Sequence, residues 1–157
     1  RGQTIDRMYV KKYLSPVLSK YDGDKDWPVL RFSDIILLYA EVLNELEGPS
    51  AALPYLNEVR ERANVSVLQI EDFPTTHSMR MALEKERRIE LAFENQRWFD
   101  LIRTNRVLVV LNTHFKEEEY YSLLPDGVSP MAESSILLPI PQKEIDINQH
   151  ITQNPGY

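Results

Sequence analysis

The sequence predicts a mostly α-helical fold: a tetratricopeptide-like helical hairpin, further helices and an irregular, packed carboxy-terminal tail. Apolar residues recur at helical spacing in segments 35–46 and 52–63. Gly48 and Pro49 stand between these segments, and so short a connection favours an antiparallel αα-hairpin. Two prolines in the apolar segment 136–147 require extended backbone and exclude a central strand.

The first helix follows a stretch of mixed composition. Residues 1–30 combine aromatic, basic and turn residues, which predicts loops and a short extended stretch over 28–31. Ser33 is expected to cap the first helix, and Gly48 is expected to follow its end. Because the four apolar residues of 35–38 point in all directions, this helix should be packed between neighbours.

The next two helices have recognisable start signals. Pro49 opens the second helix, and Pro54 falls in or just after its first turn, where a missing N–H is tolerated. Thr75 or Thr76 can cap the third helix. Asn95 is its expected stop, since Asn tolerates the left-handed conformation. A single hairpin of tetratricopeptide size suggests part of a larger protein, because such units need about three copies to bury their faces.

The second half of the chain is less regular. Residues 96–104 predict a short helix with an apolar side. Residues 107–115 form an apolar run that suits a helix, although a strand is equally compatible with its composition. Residues 125–135 predict a loop, and 136–147 an extended segment packed across the helices.

Two glutamates of the third helix fall on its core-facing side. At about 100° per residue, Glu86 and Glu90 share an arc with Met79 and Leu83. A buried carboxylate is strongly unfavourable unless it is paired and hydrogen-bonded. The basic residues of the same helix are expected to point away from this arc: Lys85, Arg87 and Arg88.

Basic partners for these carboxylates exist on adjoining elements. We interpret the pair as part of a structural ion-pair network, whose expected members are Glu86, Glu90, Arg97, Asp100, Arg60 and Arg62. Ligand contact and a glycosidase-type acid pair are the alternatives. The apolar neighbours favour a closed interior, so we expect no catalytic residue here.

No other motif indicates catalysis or metal binding. The three histidines match no ligand spacing, and the acidic run 22–26 lacks the glycine and glutamate of a calcium loop. Phosphate-binding loops and hydrolase or zinc-protease motifs are absent from the sequence. The sequence therefore predicts no cofactor.

Composition narrows the class of partner. A net charge of −6 and an isoelectric point near 5.1 argue against nucleic acid or an anionic membrane as the main partner. No cysteine is present, which excludes disulfides and a cysteine nucleophile. The sequence begins at Arg1, with no signal peptide, so a targeting segment is expected to be missing from it.

Aromatic residues in polar, loop-like surroundings are the candidate ligand contacts. Flat rings in loops suit stacking on the apolar face of a sugar. The alternative is that these rings anchor loops onto the core. The candidates are Trp27, Tyr21, Tyr120 and Tyr121.

Four blocks of the sequence resemble the carboxy-terminal part of the SusD/RagB family. They are RFSDIILLYAEVLNE (31–45), YLNEVRERANV (55–65), ERRIELAFENQRWFDLIRTNR (86–106) and LLPIPQKEIDINQHITQNPGY (137–157). The third block and the closing Gln-Asn-Pro-Gly-Tyr are the most specific. Residues 1–157 are accordingly expected to be the carboxy-terminal part of a single SusD-like domain whose amino-terminal part is absent.

The resemblance implies a non-catalytic glycan- or nutrient-binding lipoprotein exposed on the outer membrane. Such a protein acts with a SusC-like TonB-dependent transporter and hands it an oligosaccharide or other nutrient. Contact with the membrane would occur only through a lipid anchor outside residues 1–157. The competing hypotheses are a helical-repeat scaffold that binds a protein or peptide, and a carboxylate-pair hydrolase.

Overall fold

A computed structural model describes residues 10–16, 19–20, 26–117 and 131–157. Over these ranges the regular elements are helices, and the predicted mostly α-helical class is confirmed. The helices are α1 (Phe32–Leu46), α2 (Pro49–Arg62), α3 (Thr76–Glu90), α4 (Arg97–Arg103), α5 (Val107–Glu117) and α6 (Gln142–Ile147). Short 3-10 turns lie at Ile70–Asp72 and Glu133–Ile136. The chain divides into two compact units, Arg1–Gln96 and Arg97–Tyr157.

The hairpin of α1 and α2 is confirmed, with Gly48 at the turn. Gly48 has a φ of 93°, a region that suits glycine, and its N–H donates to the Leu43 carbonyl at 3.1 Å. Pro49 follows as the first residue of α2. The expectation that Ser33 caps α1 is wrong. The helix begins at Phe32, so Arg31 is the capping residue and Ser33 is already buried in the first turn.

The core of the first unit lies between α1, α2 and α3. Its centre consists of side chains with no exposed surface: Leu37, Ala40, Ala52, Leu56, Met79 and Leu83. Burying each large apolar side chain contributes about 1.5–3 kcal/mol, so these contacts are the main stabilisation of the unit.

The outer face of α1 differs from its prediction. Five apolar residues spaced by alternating steps of three and four form a stripe that is 48–76% exposed in the described chain: Phe32, Ile35, Tyr39, Val42 and Leu46. The expectation that α1 is packed on all sides is therefore wrong for this face within the first unit.

Helix α3 starts where the sequence predicts and ends earlier. The Thr75 side chain accepts the Ser78 N–H at 3.1 Å, and the Ser78 hydroxyl oxygen accepts the Thr75 N–H at 3.2 Å, which confirms Thr75 as the cap. The helix ends at Glu90. A turn follows in which Phe93 and Asn95 are left-handed, with φ of 67° and 63°. Asn95 thus has the expected conformation, but the helix stops one turn before it.

The second unit contains the later helices and the tail. Helix α4 falls inside the predicted segment 96–104, and the ambiguous run after it is helical as α5. Helix α6 is not anticipated by the sequence, which predicts an extended segment here. Pro141 immediately precedes this helix, where its missing N–H breaks no helical hydrogen bond.

The closing residues hold the tail in place within the second unit. The Gln153 side chain accepts the Ile140 N–H at 2.8 Å and donates to the Ile140 carbonyl at 2.9 Å. Tyr157 donates its hydroxyl to the Leu137 carbonyl at 3.0 Å. Gly156 has a φ of 99°, and a Cβ there would lie 2.6 Å from the Ser134 Cβ. The Gln-Asn-Pro-Gly-Tyr segment is therefore a structural clasp.

Candidate functional site

Glu86 and Glu90 both meet arginines from helix α2. The Glu86 side chain, in a residue 7% exposed, accepts from Arg60 Nη1 at 2.5 Å. The half-buried Glu90 accepts from Arg62 Nη2 at 2.7 Å at both carboxylate oxygens. The structure thus brings Arg60 and Arg62 together with the two glutamates, as the sequence suggested. Both carboxylates are occupied by guanidinium donors, which leaves neither free to contact a glycosidic oxygen.

Arg87 lies on the opposite side from that expected. The prediction that it points away from the core is wrong, because it is 3% exposed and faces α1. Arg87 Nη1 is 2.7 Å from Asp34 Oδ1, and Arg87 Nε is 3.7 Å from Glu41. Helix α1 packs against α3, and its Asp34 and Glu41 supply the carboxylates that a buried guanidinium needs.

The remaining expected members of the network belong to the second unit. Asp100 is 6% exposed, and its Oδ1 accepts from Arg103 Nε at 2.9 Å. Arg97 is the first residue of α4. In the first unit, a further pair to Glu90 comes from Arg31, whose Nη1 lies 2.9 Å from Glu90 Oε1.

A third carboxylate, Glu94, is the centre of a cluster that sequence reasoning missed. Glu94 is 7% exposed and accepts from Arg31 through two bonds, Nε at 2.8 Å and Nη2 at 2.9 Å. Lys12 Nζ lies 2.5 Å from Glu94 Oε1. The available signal was Glu94 one turn after Glu90. Because α3 ends before Glu94, helical spacing does not predict the direction of the Glu94 side chain.

The charge state of Glu94 follows from these contacts. Burial disfavours the ionised carboxyl, but hydrogen bonds and charge from Arg31 and Lys12 outweigh it and lower the pKa of Glu94 below its ordinary 4.5. Its hydrogen bonds also raise the pKa of Arg31. The cluster is thus a set of charge-assisted hydrogen bonds between ionised partners.

An aromatic pair stands beside this cluster. The rings of Tyr13 and Trp27 stack, with centroids 4.4 Å apart and planes at 15°. Trp27 is 51% exposed, and Tyr13 donates its hydroxyl to the Phe93 carbonyl at 2.8 Å. Desolvation and the neighbouring Glu94 charge raise the pKa of Tyr13, which keeps its hydroxyl a donor. The other candidate aromatics, Tyr21, Tyr120 and Tyr121, lie outside the described residues.

The described ranges contain one cavity of interest and no metal-like cluster. An open cavity of about 240 Å³ lies at the amino-terminal end of α1 and the carboxy-terminal end of α2, lined by Arg31, Phe32, Ser33, Ile36, Glu58, Val59 and Arg62. Across residues 10–16, 19–20, 26–117 and 131–157, no three His, Asp or Glu side chains are grouped as metal ligands. Most of the acidic run 22–26 falls outside those ranges.

No helix among the described residues is both long and apolar enough to cross a membrane.

Comparison with known proteins identifies the family. The model of the SusD family matches residues 4–157. The chain therefore belongs to the SusD family, as its four sequence blocks suggested. Curated relatives include the SusD-like proteins P2 and P25 of Formosa agariphila, which are 34% and 36% identical over 82% of this chain. The matched part makes up 25% and 24% of those relatives, so the chain spans about a quarter of their length.

Solved structures of similar proteins share the fold. A SusD homologue from Bacteroides thetaiotaomicron is 32% identical, with a TM-score of 0.72 over 94% of this chain and 30% of its own. Surface glycan-binding protein A from the same organism is 28% identical, with a TM-score of 0.62 over 85% of this chain and 26% of its own.

Proposed function

We propose that this chain is part of a non-catalytic glycan- or nutrient-binding protein of an outer-membrane uptake system. The protein works by stacking and hydrogen bonding, without bond cleavage. Membership of the SusD family and the likeness to a surface glycan-binding protein support this function. Its ligand is an oligosaccharide or another nutrient.

The proposal rests on the stacked but exposed ring of Trp27. One face of its indole is covered by Tyr13, yet half of the residue remains exposed. A large ring held by stacking and open on its other side suits the apolar face of a sugar. The indole N–H at the ring edge can donate to a sugar hydroxyl. Trp27 is therefore the proposed glycan contact, and Tyr21, Tyr120 and Tyr121 are further candidates.

The contacts of Glu86 and Glu90 with arginines support a function in binding without catalysis. Arg60 engages Glu86, while Arg62 and Arg31 engage Glu90. A glycosidase places two carboxyl groups across an open cleft, where they reach the scissile bond. Here the two carboxylates serve to join α2 to α3, so we expect purified protein to cleave no glycoside.

Membership of the SusD family supports a proposal for the cellular setting of the protein. We place it on the cell surface, as an outer-membrane lipoprotein that acts with a SusC-like TonB-dependent transporter. In this proposal, the lipid anchor and the amino-terminal part of the domain lie on polypeptide outside residues 1–157. A nucleic-acid partner does not fit the net charge of −6.

The test is the binding of the whole 157-residue chain to a glycan panel. Trp27→Ala should weaken the best-bound glycan about tenfold, which corresponds to about 1.4 kcal/mol of lost stacking. The matched control is Trp98→Ala, which removes the other tryptophan, in helix α4 of the second unit. Unchanged binding by Trp27→Ala removes Trp27 from the site, and release of sugar from any panel member contradicts the absence of catalysis.

The exposed stripe of α1 favours a second candidate function, a helical scaffold for a protein or peptide. Steps of three and four residues are typical of a seam that receives another helix. An array of amphipathic helical peptides tests this candidate. It predicts capture that Ile35→Lys with Val42→Lys abolishes and Trp27→Ala leaves unchanged. The glycan proposal predicts that the double variant binds the panel as the parent chain does.

A further inference from the structure

We propose that Glu94 is a positioning residue for ligand binding: through Lys12 and Arg31 it holds the Tyr13–Trp27 pair against the carboxy-terminal end of α3. The inference rests on the proposed function, since it concerns how the Trp27 contact is built. Glu94 itself is buried and is not proposed to touch the ligand.

The first connection runs through Lys12. Its Nζ donates to the Glu90 carbonyl at 2.7 Å and to the Ala92 carbonyl at 2.9 Å, and it lies 2.5 Å from Glu94 Oε1. An ammonium has three N–H donors, so all of them have a partner at the end of α3. These carbonyls are left without helical partners because α3 stops at Glu90. Lys12 therefore fixes its own segment to this turn.

The second connection fixes the supporting ring. Tyr13 follows Lys12 directly, and its hydroxyl donates to the Phe93 carbonyl at 2.8 Å. The left-handed Phe93 lies inside the same turn. The contacts of Lys12 thus hold the backbone of Tyr13, and the hydroxyl bond holds the far end of its ring. Together they orient the ring face towards Trp27.

The third connection approaches from the side of Trp27. Arg31 lies four residues after it and binds Glu94 through two parallel hydrogen bonds, at 2.8 and 2.9 Å. Its Nη2 also donates to the Glu90 carbonyl at 3.0 Å. One carboxylate therefore joins both segments that carry the stacked rings, and it does so in a buried place where charge-assisted bonds are strongest.

This arrangement bears on affinity through preorganisation. A ring that is ordered before the ligand arrives loses little freedom on binding, whereas a loose ring must be ordered by the ligand. Releasing one such side chain weakens binding by about two- to tenfold. The glutamate thus acts on the ligand through the order of Trp27.

Glu94→Gln in the whole 157-residue chain tests the inference. The amide keeps the size of the side chain but turns an N–H donor towards the donors of Arg31 and Lys12. The dissociation constant of the best-bound panel glycan should rise about two- to tenfold, at a temperature where circular dichroism shows the variant folded. In a Trp98→Phe background, the fluorescence anisotropy of Trp27 should fall, which a purely structural role elsewhere in the chain would not cause.

Two further variants complete the experiment. Glu45→Gln removes a carboxylate that pairs with Arg80 on the exposed surface of the same unit, and it should change neither quantity. Lys12→Met keeps the aliphatic stem and removes the ammonium. It should lower anisotropy and affinity in the same direction as Glu94→Gln, and it replaces that variant in the test if Glu94→Gln fails to fold.

The outcomes separate the inference from the function on which it rests. If Trp27→Ala weakens binding while Glu94→Gln and Lys12→Met leave affinity and anisotropy unchanged, the positioning role is overturned and the proposed function stands. If Trp27→Ala binds the panel glycan as the parent chain does, Trp27 is removed from the glycan site and the positioning role fails with it. If the parent chain binds no panel glycan, the proposed function itself fails.

Discussion

Glu86 and Arg60 show at the residue scale why a buried carboxylate needs its partner. The Glu86 side chain is 10% exposed and the Arg60 side chain 16%, and Arg60 Nη1 lies 2.5 Å from Glu86 Oε2. Removing one member of a buried pair leaves an uncompensated charge, whereas exposed pairs contribute little.

Arg60→Ala should therefore lower the free energy of unfolding by about 3 kcal/mol. Urea denaturation monitored by circular dichroism measures this change. Arg80→Ala is the matched control, because Arg80 and its partner Glu45 are each about half exposed. It should cost no more than about 1 kcal/mol. Equal effects of the two substitutions would show that the Glu86 pair is not buried.

Glu94 makes the stability of the first unit depend on pH. Its pKa is lowered in the folded chain, so the ionised form is the one that the fold favours. The resulting stabilisation is fully present above the unfolded pKa, near 4.5, and is lost as the pH falls through the folded value.

The free energy of unfolding of the parent chain should therefore exceed that of the Glu94→Gln variant by a constant amount above pH 4.5. This difference should shrink as the pH falls below 4.5. Denaturation series of both chains at stepwise lower pH measure the difference. A difference that grows as the pH falls would contradict the assigned charge state of Glu94.

How much of the site can be predicted from sequence is clear at these residues. Arg60 and Arg62 are evident because they stand on a helix adjacent to α3 and the spacing is helical. The contacts of Lys12 and Arg31 with Glu94 cannot be predicted in this way, because both residues lie in irregular segments about 60 to 80 positions from Glu94 along the chain. Contacts of that kind depend on tertiary structure and leave no local pattern.

At the scale of elements, start signals are more informative than stop signals. Thr75 caps α3 through a side-chain bond to a nearby amide, a contact that depends only on neighbouring residues. At the end of α3, Lys12 and Arg31 donate to the carbonyl of Glu90, its last residue, and Tyr13 donates to the Phe93 carbonyl in the turn that follows. Asn95 is left-handed as expected, but the helix ends earlier, at Glu90, where these distant donors make their contacts.

Thr75→Ala should lower the free energy of unfolding by about 1 kcal/mol, because the Ser78 amide loses its acceptor. Thr76→Ala is a close control, since Thr76 is already helical and contributes its backbone carbonyl to Asn44. That contact survives the substitution. Thermal or urea unfolding of the two variants compares them, and a larger effect at Thr76 would contradict the assignment of the cap.

At the scale of the whole molecule, the chain belongs to the SusD family, and its first unit carries a helical core. The family can be predicted from sequence, because its signature blocks coincide with the α2–α3 ion pairs and the carboxy-terminal clasp. The exposure of the outer face of α1 cannot be predicted in the same way. Its residues are as apolar as those of the core, and composition alone does not distinguish a buried face from one that faces solvent.

Trp27 is proposed to receive a glycan on the exposed face of its indole. The most direct measurement is a titration of the ¹⁵N-labelled chain with its best-bound panel glycan, followed by the indole N–H resonances of Trp27 and Trp98. We expect a saturable shift of the Trp27 signal while the Trp98 signal stays in place. A saturable shift of Trp98 alone, or binding that leaves the Trp27 signal unmoved, would contradict it.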